Sequence, residues 1–172
     1  SNVAANREPT ASLFRQAASE TTMAYGGYPP VQLWNLSYTA HPEQPQSNGS
    51  GITAFREDAF AAYTHALWWC LLNDTRHADK AIEIMDGWPP AWTEPIDLAN
   101  GLQVAWAGAV WPRAAEIIRH TYTRAGAPAW RDKAFGAFGQ MLSSMVLPMV
   151  DQGASTNGNI GLVMTEAAAA IA

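Results

Sequence analysis

The residues whose types and spacing could do chemistry lie first in the stretch LANGLQVAWAGAVWPRAAEIIRHTY, which carries Asn100, Gln103, Trp106 and Arg113. At about 100° per residue on a helix, these four fall within an arc of about 140°. The remainder of that helix is apolar, the mark of burial, so a polar and aromatic strip along it must face something other than plain core. A cleft for a polar ligand fits. The Trp106 indole offers a flat ring and a donor N–H to a sugar, and the planar fork of Arg113 can take both oxygens of a carboxylate. Each residue also has a structural alternative: Asn100 as a helix cap, Gln103 bonded to a neighbouring loop, Arg113 paired with Glu116 or Asp97.

The elements that must position this strip are helical. Periodicity recurs over Pro9 to Tyr25, Thr53 to Leu72, Arg76 to Gly87, Leu98 to Tyr122, Pro128 to Val150 and Asn159 to the end, in Ala-rich and Leu-rich sequence. Breakers separate them at Gly26-Gly27 with Pro29-Pro30, Asn73-Asp74, Pro89-Pro90, Gly126 with Pro128, and Gly153 to Gly158. The expectation is an all-α protein of antiparallel helix pairs, one helical domain over residues 1–172. A long loop over 26–52, rich in Pro, Gln, Ser and Gly, holds Trp34, Tyr38 and His41, and loops of that length are usually functional or mobile. Pro112 removes the bond to the Gly108 carbonyl and should bend or split the fourth helix. The last helix, GLVMTEAAAAIA, runs apolar to Ala172 without a cap, so a C-terminal continuation or another chain is expected against it.

Composition narrows the function. The 172 residues are 48% hydrophobic and 15% charged, which suits a packed core and not disorder. Net charge is −5 with ten Lys plus Arg, so no basic field exists to gather nucleic acid or an anionic membrane. Cys70 stands alone in an apolar run, which excludes an internal disulfide and a Cys-rich zinc site and reads as packing. No His-x-x-x-His or Glu-x-x-His spacing occurs, and neither metal nor cofactor is expected. No segment reaches eighteen consecutive apolar residues, and the stretch SNVAANREP lacks the charged and apolar regions of a signal peptide.

Four separated blocks, AFREDAFAAYTHALWW, RHADKAIEIMDGW, LANGLQVAWAGAVWPRAAEIIRHTY and NGNIGLVMTEAAAAIA, occur in an order that resembles the alginate lyase family of polysaccharide lyases, and within it the branch acting on glucuronan-type polymers. The resemblance covers most of Thr53 to Ala172. It implies an incomplete (α/α) toroid whose inner and outer helices enclose a groove for an acidic polysaccharide, of which this chain would be the N-terminal half. It also implies a secreted or periplasmic enzyme that cleaves by β-elimination: the proton at C5 leaves, the glycosidic bond at C4 breaks, and a C4=C5 double bond forms without water. Such an enzyme neutralises the C6 carboxylate, supplies a base and protonates the leaving oxygen.

Asn157-Gly158-Asn159 matches the family's carboxylate-neutralising position, but differs from the Asn-Asn-His form of related lyases in having no His after it. Amide donors at a helix start add to free backbone N–H groups and the positive dipole end, which favours a carboxylate there; capping of the same helix is the structural alternative. For acid and base, related lyases use His and Tyr or one Tyr alone. His65 lies in mid-helix beside Tyr63 in AAYTHALWW, and His41 lies in the long loop near Tyr38, where a loop folding over the groove could deliver either. His65 as a buried neutral side chain is the alternative, and His77 and His120 read as structural. The site expected from the sequence is thus Asn157, Asn159 and His65 for catalysis, with Asn100, Gln103, Trp106, Arg113, Tyr63 and His41 for substrate. Two other functions remain open: a non-catalytic piece that binds acidic polysaccharide or assembles, and a helical-toroid glycoside hydrolase using carboxylates among Asp58, Glu94, Asp97 and Glu116.

Overall fold

A computed structural model describes residues 6, 8–9, 11–13, 15–16, 22–23, 31–97, 101–122 and 134–172. Asn100 and Trp130 lie outside the described residues. The protein is all-α apart from one two-residue ladder: α1 (Ile52–Leu72), α2 (Thr75–Ala91), α3 (Gly101–Thr121), α4 (Ala134–Met141), a π-helical turn (Leu142–Val146), α5 (Leu147–Ala154) and α6 (Asn159–Ile171). The ladder corrects the first expected helix. Residues 11–13 and 15–16 are helical, but Thr22 pairs antiparallel with Gln32 and Met23 with Val31, a use to which β-branched Thr22 and Val31 are suited.

The helix ends follow local chemistry where the sequence marks it. Gly51 precedes α1 at φ 73, where a Cβ would come within 2.9 Å of the Gln44 carbonyl oxygen; only glycine fits. Asn73 closes α1 in the left-handed region, and the Asp74 carboxylate accepts from Arg76 N–H to start α2. Two expected breaks do not occur. α2 runs through Pro89 and Pro90 to Ala91, because Trp88 and Trp92 on either side of the prolines are both buried against Phe55 and hold that last turn in place. α3 likewise continues through Pro112 without being split, next to a fully buried Trp111.

Packing is organised around α3. It lies against α1 on one side and α6 on the other, while α2 folds back on α1 and α5 on α6. Near their starts α1 and α3 are joined by Arg56 and Gln103, and near their ends by Trp69 and Thr121, so these two helices run in the same direction. Small residues on α3 permit the close approach: Ala105, Ala107, Gly108 and Ala109 are buried, and a Cβ on Gly108 would lie 3.4 Å from Ala167 of α6. An aromatic cluster locks the other side. Phe55 meets the rings of Trp88 and Trp92 edge-on at 5.0 and 4.8 Å and that of Trp111 tilted at 5.5 Å, and Trp111 meets Phe138 of α4 edge-on at 5.3 Å, ring contacts that add to the burial itself. Cys70, expected in the core, is exposed at the end of α1 with its Sγ 3.8 Å from the Thr121 hydroxyl.

Candidate functional site

A strip crosses three helices, and two side-chain bridges tie it together. On α3, Trp106 and Arg113 are seven residues apart and so about 20° apart around the axis, with Gln103 about 60° from Trp106. Trp106 is 36% exposed, Gln103 is half-buried and Arg113 is exposed. Gln103 Oε1 accepts from Arg56 Nη1 of α1. Arg56 is buried despite its charge, and half-buried Tyr63 shares its face of α1, again seven residues on. On the other side, Arg113 Nη2 donates to Glu166 Oε1 of α6 at 2.5 Å, and Glu166 shares a face of α6 with Asn159. The side chains of Tyr63, Gln103, Trp106, Arg113 and Asn159 are therefore carried on adjoining faces of α1, α3 and α6. The salt bridge that the sequence offered to Glu116 or Asp97 goes instead to Glu166; Glu116 is taken by Arg119 and His120.

Asn157 and Asn159 flank the start of α6, and both are exposed. The helix is capped by Gly158 at φ 79 and ψ −151, with no side-chain cap. Neither amide side chain hydrogen-bonds among the described residues, so the capping alternative is not the one realised. The turn before the helix is held by its own atoms: Thr156 N–H and Oγ1 both donate to the Gly153 carbonyl, and a Cβ on Gly161 would lie 1.9 Å from the Thr156 carbonyl oxygen. Glycine at 158 and 161 lets the chain enter α6 with free backbone N–H groups at its start, a local field that favours an anion.

His65 sits elsewhere. It lies about 180° around α1 from Arg56, is fully buried, and its Nδ1 is 2.7 Å from Nδ1 of His77 on α2. His77, expected on an external helix, is itself only 6% exposed. Burial, then the charges of His77 and Lys80, push His65 down to about 3, while the Asn35 backbone opposes this weakly. Its Nε2 meets no partner in hydrogen-bond geometry. His77 is lowered by burial and by Arg76, with Asp74 opposing. A neutral ring sealed between two helices can neither touch a sugar nor take its proton, so the catalytic place expected of His65 is not one this geometry offers.

The long loop is also placed away from the strip. Asp58 of α1, fully buried and about 140° around the axis from Tyr63, accepts from Tyr38 Oη at 2.6 Å, from His41 N–H at 3.0 Å and from Trp88 Nε1 at 2.9 Å. Burial pushes the Asp58 carboxyl up, and these three donors pull it back. Gln44 adds a second tether, bonding the backbone of Thr93 and Glu94. His41 is exposed but fastened by its backbone on the far side of α1, and Tyr38 is buried. Residues 33–51 are thus strapped to the ends of α1 and α2 and do not cover the α3 strip.

Two residues of the strip escaped the sequence reading. Arg56 was legible only as a charge in an apolar helix seven positions before Tyr63, and Glu166 as a lone acid in an apolar one; their partners are 47 and 53 residues away. Among the described residues no group of three or more His, Cys, Asp or Glu is arranged to hold a metal ion, and no helix is long and apolar enough to cross a membrane. In comparison with known proteins, no family model, no curated protein and no solved structure matches this chain.

Proposed function

We propose that the chain is part of an (α/α) toroid and that its α1, α3 and α6 faces line the groove of a polysaccharide lyase acting on a uronic acid polymer of glucuronan or alginate type. The observation that carries this reading is the pair of exposed, uncommitted amides of Asn157 and Asn159 at the start of α6. Carboxamide donors there, with free backbone N–H groups and the positive helix end, suit the C6 carboxylate, whose neutralisation lets the C5–H bond ionise. The shared direction of α1 and α3, with α2 returning between them in sequence, supports the toroid part of this reading. Trp106 supplies a stacking face, and Gln103 and Arg113 supply donors to hydroxyl and carboxylate oxygens. A setting outside the cytoplasm belongs to the same proposal.

Among the described histidines, His65 and His77 are sealed together and His41 is on the far side of α1. His120 shares the Trp106 face of α3 but lies fourteen residues, about 21 Å, further along it, and is bonded to Glu116. Among the described residues of the strip, the phenol of Tyr63, which has no hydrogen-bond partner there, is the side chain that can serve as acid and base. In that form Tyr63 acts as the phenolate: its oxygen takes the C5 proton, the electron pair of the C5–H bond becomes the C4=C5 double bond, the C4–O pair leaves with O4, and the phenol returns the proton to O4 to regenerate the phenolate. The test is to mix the protein with glucuronan or alginate and follow the ultraviolet absorbance of the new double bond. No rise with any uronate polymer defeats the lyase reading. A non-catalytic acidic-polysaccharide binder is the second reading, favoured by the lack of a His after Asn159; binding without unsaturated product would establish it.

A further inference from the structure

The Arg113–Glu166 pair puts an anion on the strip itself. Glu166 is seven residues beyond Asn159 on the same face of α6, about 10 Å along the axis, and it occupies the one guanidinium that α3 presents beside Trp106. The two side chains are 51% and 54% exposed and meet through a single contact between Nη2 and Oε1. A pair of this kind is held weakly, because water and salt screen it and two long side chains must be ordered to keep it. A uronate carboxylate can take the guanidinium fork bidentately, which Glu166 does not do.

We infer that Glu166 is a specificity-determining residue of the strip, a built-in competitor that releases Arg113 to a second uronate carboxylate of the bound polymer and thereby limits how tightly a fully charged chain is held. This rests on the proposed uronate-binding reading of the same surface. When the exchange occurs, Arg113 keeps an acidic partner, Glu166 is left ionised beside the substrate, and its charge opposes the incoming carboxylate. A sugar chain without acid groups leaves the pair intact and feels no such penalty. Holding charged substrate loosely at a position away from the scissile bond also favours release of the acidic product.

The test compares wild type, Glu166→Gln and Arg113→Gln by calorimetric titration with glucuronan oligosaccharides and with the same oligosaccharides after reduction of their carboxyl groups. Glu166→Gln keeps the shape of the side chain and removes the charge. The expected result is charged-ligand affinity raised about two- to fivefold in Glu166→Gln, the range set by what an exposed ion pair contributes, with a steeper salt dependence and an unchanged melting temperature. Affinity falls in Arg113→Gln, and the reduced ligand binds all three proteins alike. If the wild type binds the charged oligosaccharide and Glu166→Gln binds it equally or more weakly, the competitor role is wrong while the uronate-binding reading stands. Failure of both wild type and Glu166→Gln to bind any uronate chain removes both. A drop in melting temperature without a gain in affinity would make the pair a strut between α3 and α6 and overturn the inference.

Discussion

Acid should loosen this protein through the His65–His77 contact. With the two Nδ1 atoms 2.7 Å apart in a buried contact, one ring carries the hydrogen and the other accepts it, so the contact holds only while at least one ring is neutral. A second proton would set two N–H groups face to face in a medium that solvates charge poorly. His65 is held down to about 3 by burial first, whereas an unfolded histidine titrates near 6.5. The sign follows from that order: above pH 6.5 neither state takes the proton and the contribution is fully present, whereas below it the unfolded chain binds a proton that the native ring refuses. Stability is therefore lost as pH falls from 6.5 toward 3, at about 1.4 kcal/mol per unit once the unfolded ring is protonated, or about 5 kcal/mol across the window. That is comparable with the total stability of an ordinary domain. Asp58 works in the opposite sense, since its carboxyl is raised by burial and the native state gains in relative terms as that group protonates, but only in the carboxylate range. The assay is urea denaturation from pH 7.5 to 4.5 at fixed ionic strength, on the wild type and on a His65→Leu/His77→Leu double variant that replaces both members with apolar side chains and leaves no orphaned partner. The wild-type midpoint should fall steeply below pH 6.5 and the double variant should show a much flatter profile. Equal slopes in the two proteins would refute the buried-pair argument, whatever the absolute stabilities.

Replacing both Asn157 and Asn159 with Ala should cut lyase turnover by about 10²–10³-fold, as loss of preorganised donors does elsewhere. The melting temperature should hardly change because neither amide caps α6; ultraviolet rates with a thermal melt check both halves. Tyr63→Phe should abolish elimination while leaving oligosaccharide affinity within about threefold of wild type, since the phenol's hydrogen bond to a sugar contributes only about 0.5–1.5 kcal/mol; single-turnover rates beside calorimetry separate the two. Asp58→Ala should cost about 3 kcal/mol or more in urea denaturation, because it strands the Tyr38 hydroxyl, the Trp88 indole N–H and the His41 backbone N–H together. Gly161→Ala should destabilise by about 1–3 kcal/mol and move the start of α6, because its Cβ would meet the Thr156 carbonyl oxygen at 1.9 Å.

From α1 onward the sequence by itself located the helices, though not every end, because the periodicity and capping chemistry that make them are local. The break at Asn73-Asp74, the start of α6 at Asn159 and the all-α character were legible in residues at most a few positions apart. So was the shared face of Gln103, Trp106 and Arg113, which helix geometry alone dictates. What the tertiary structure decided were the relations between helices. Pro89 and Pro90 stay helical because Trp88 and Trp92 are anchored on Phe55 of another helix, a gain that no local propensity records. His65 and Tyr63 are two residues apart in the chain, yet helical rotation sends one into a sealed pair with His77 and leaves the other on the strip. The partner of Arg113 was equally out of reach of spacing arguments: nearby acids compete in sequence, but the approach of α6 to α3 across their small residues delivers Glu166 from 53 positions away. Side-chain chemistry is written locally, whereas the surroundings that make a histidine inert or give an arginine its acidic partner arise only when distant segments exclude water together.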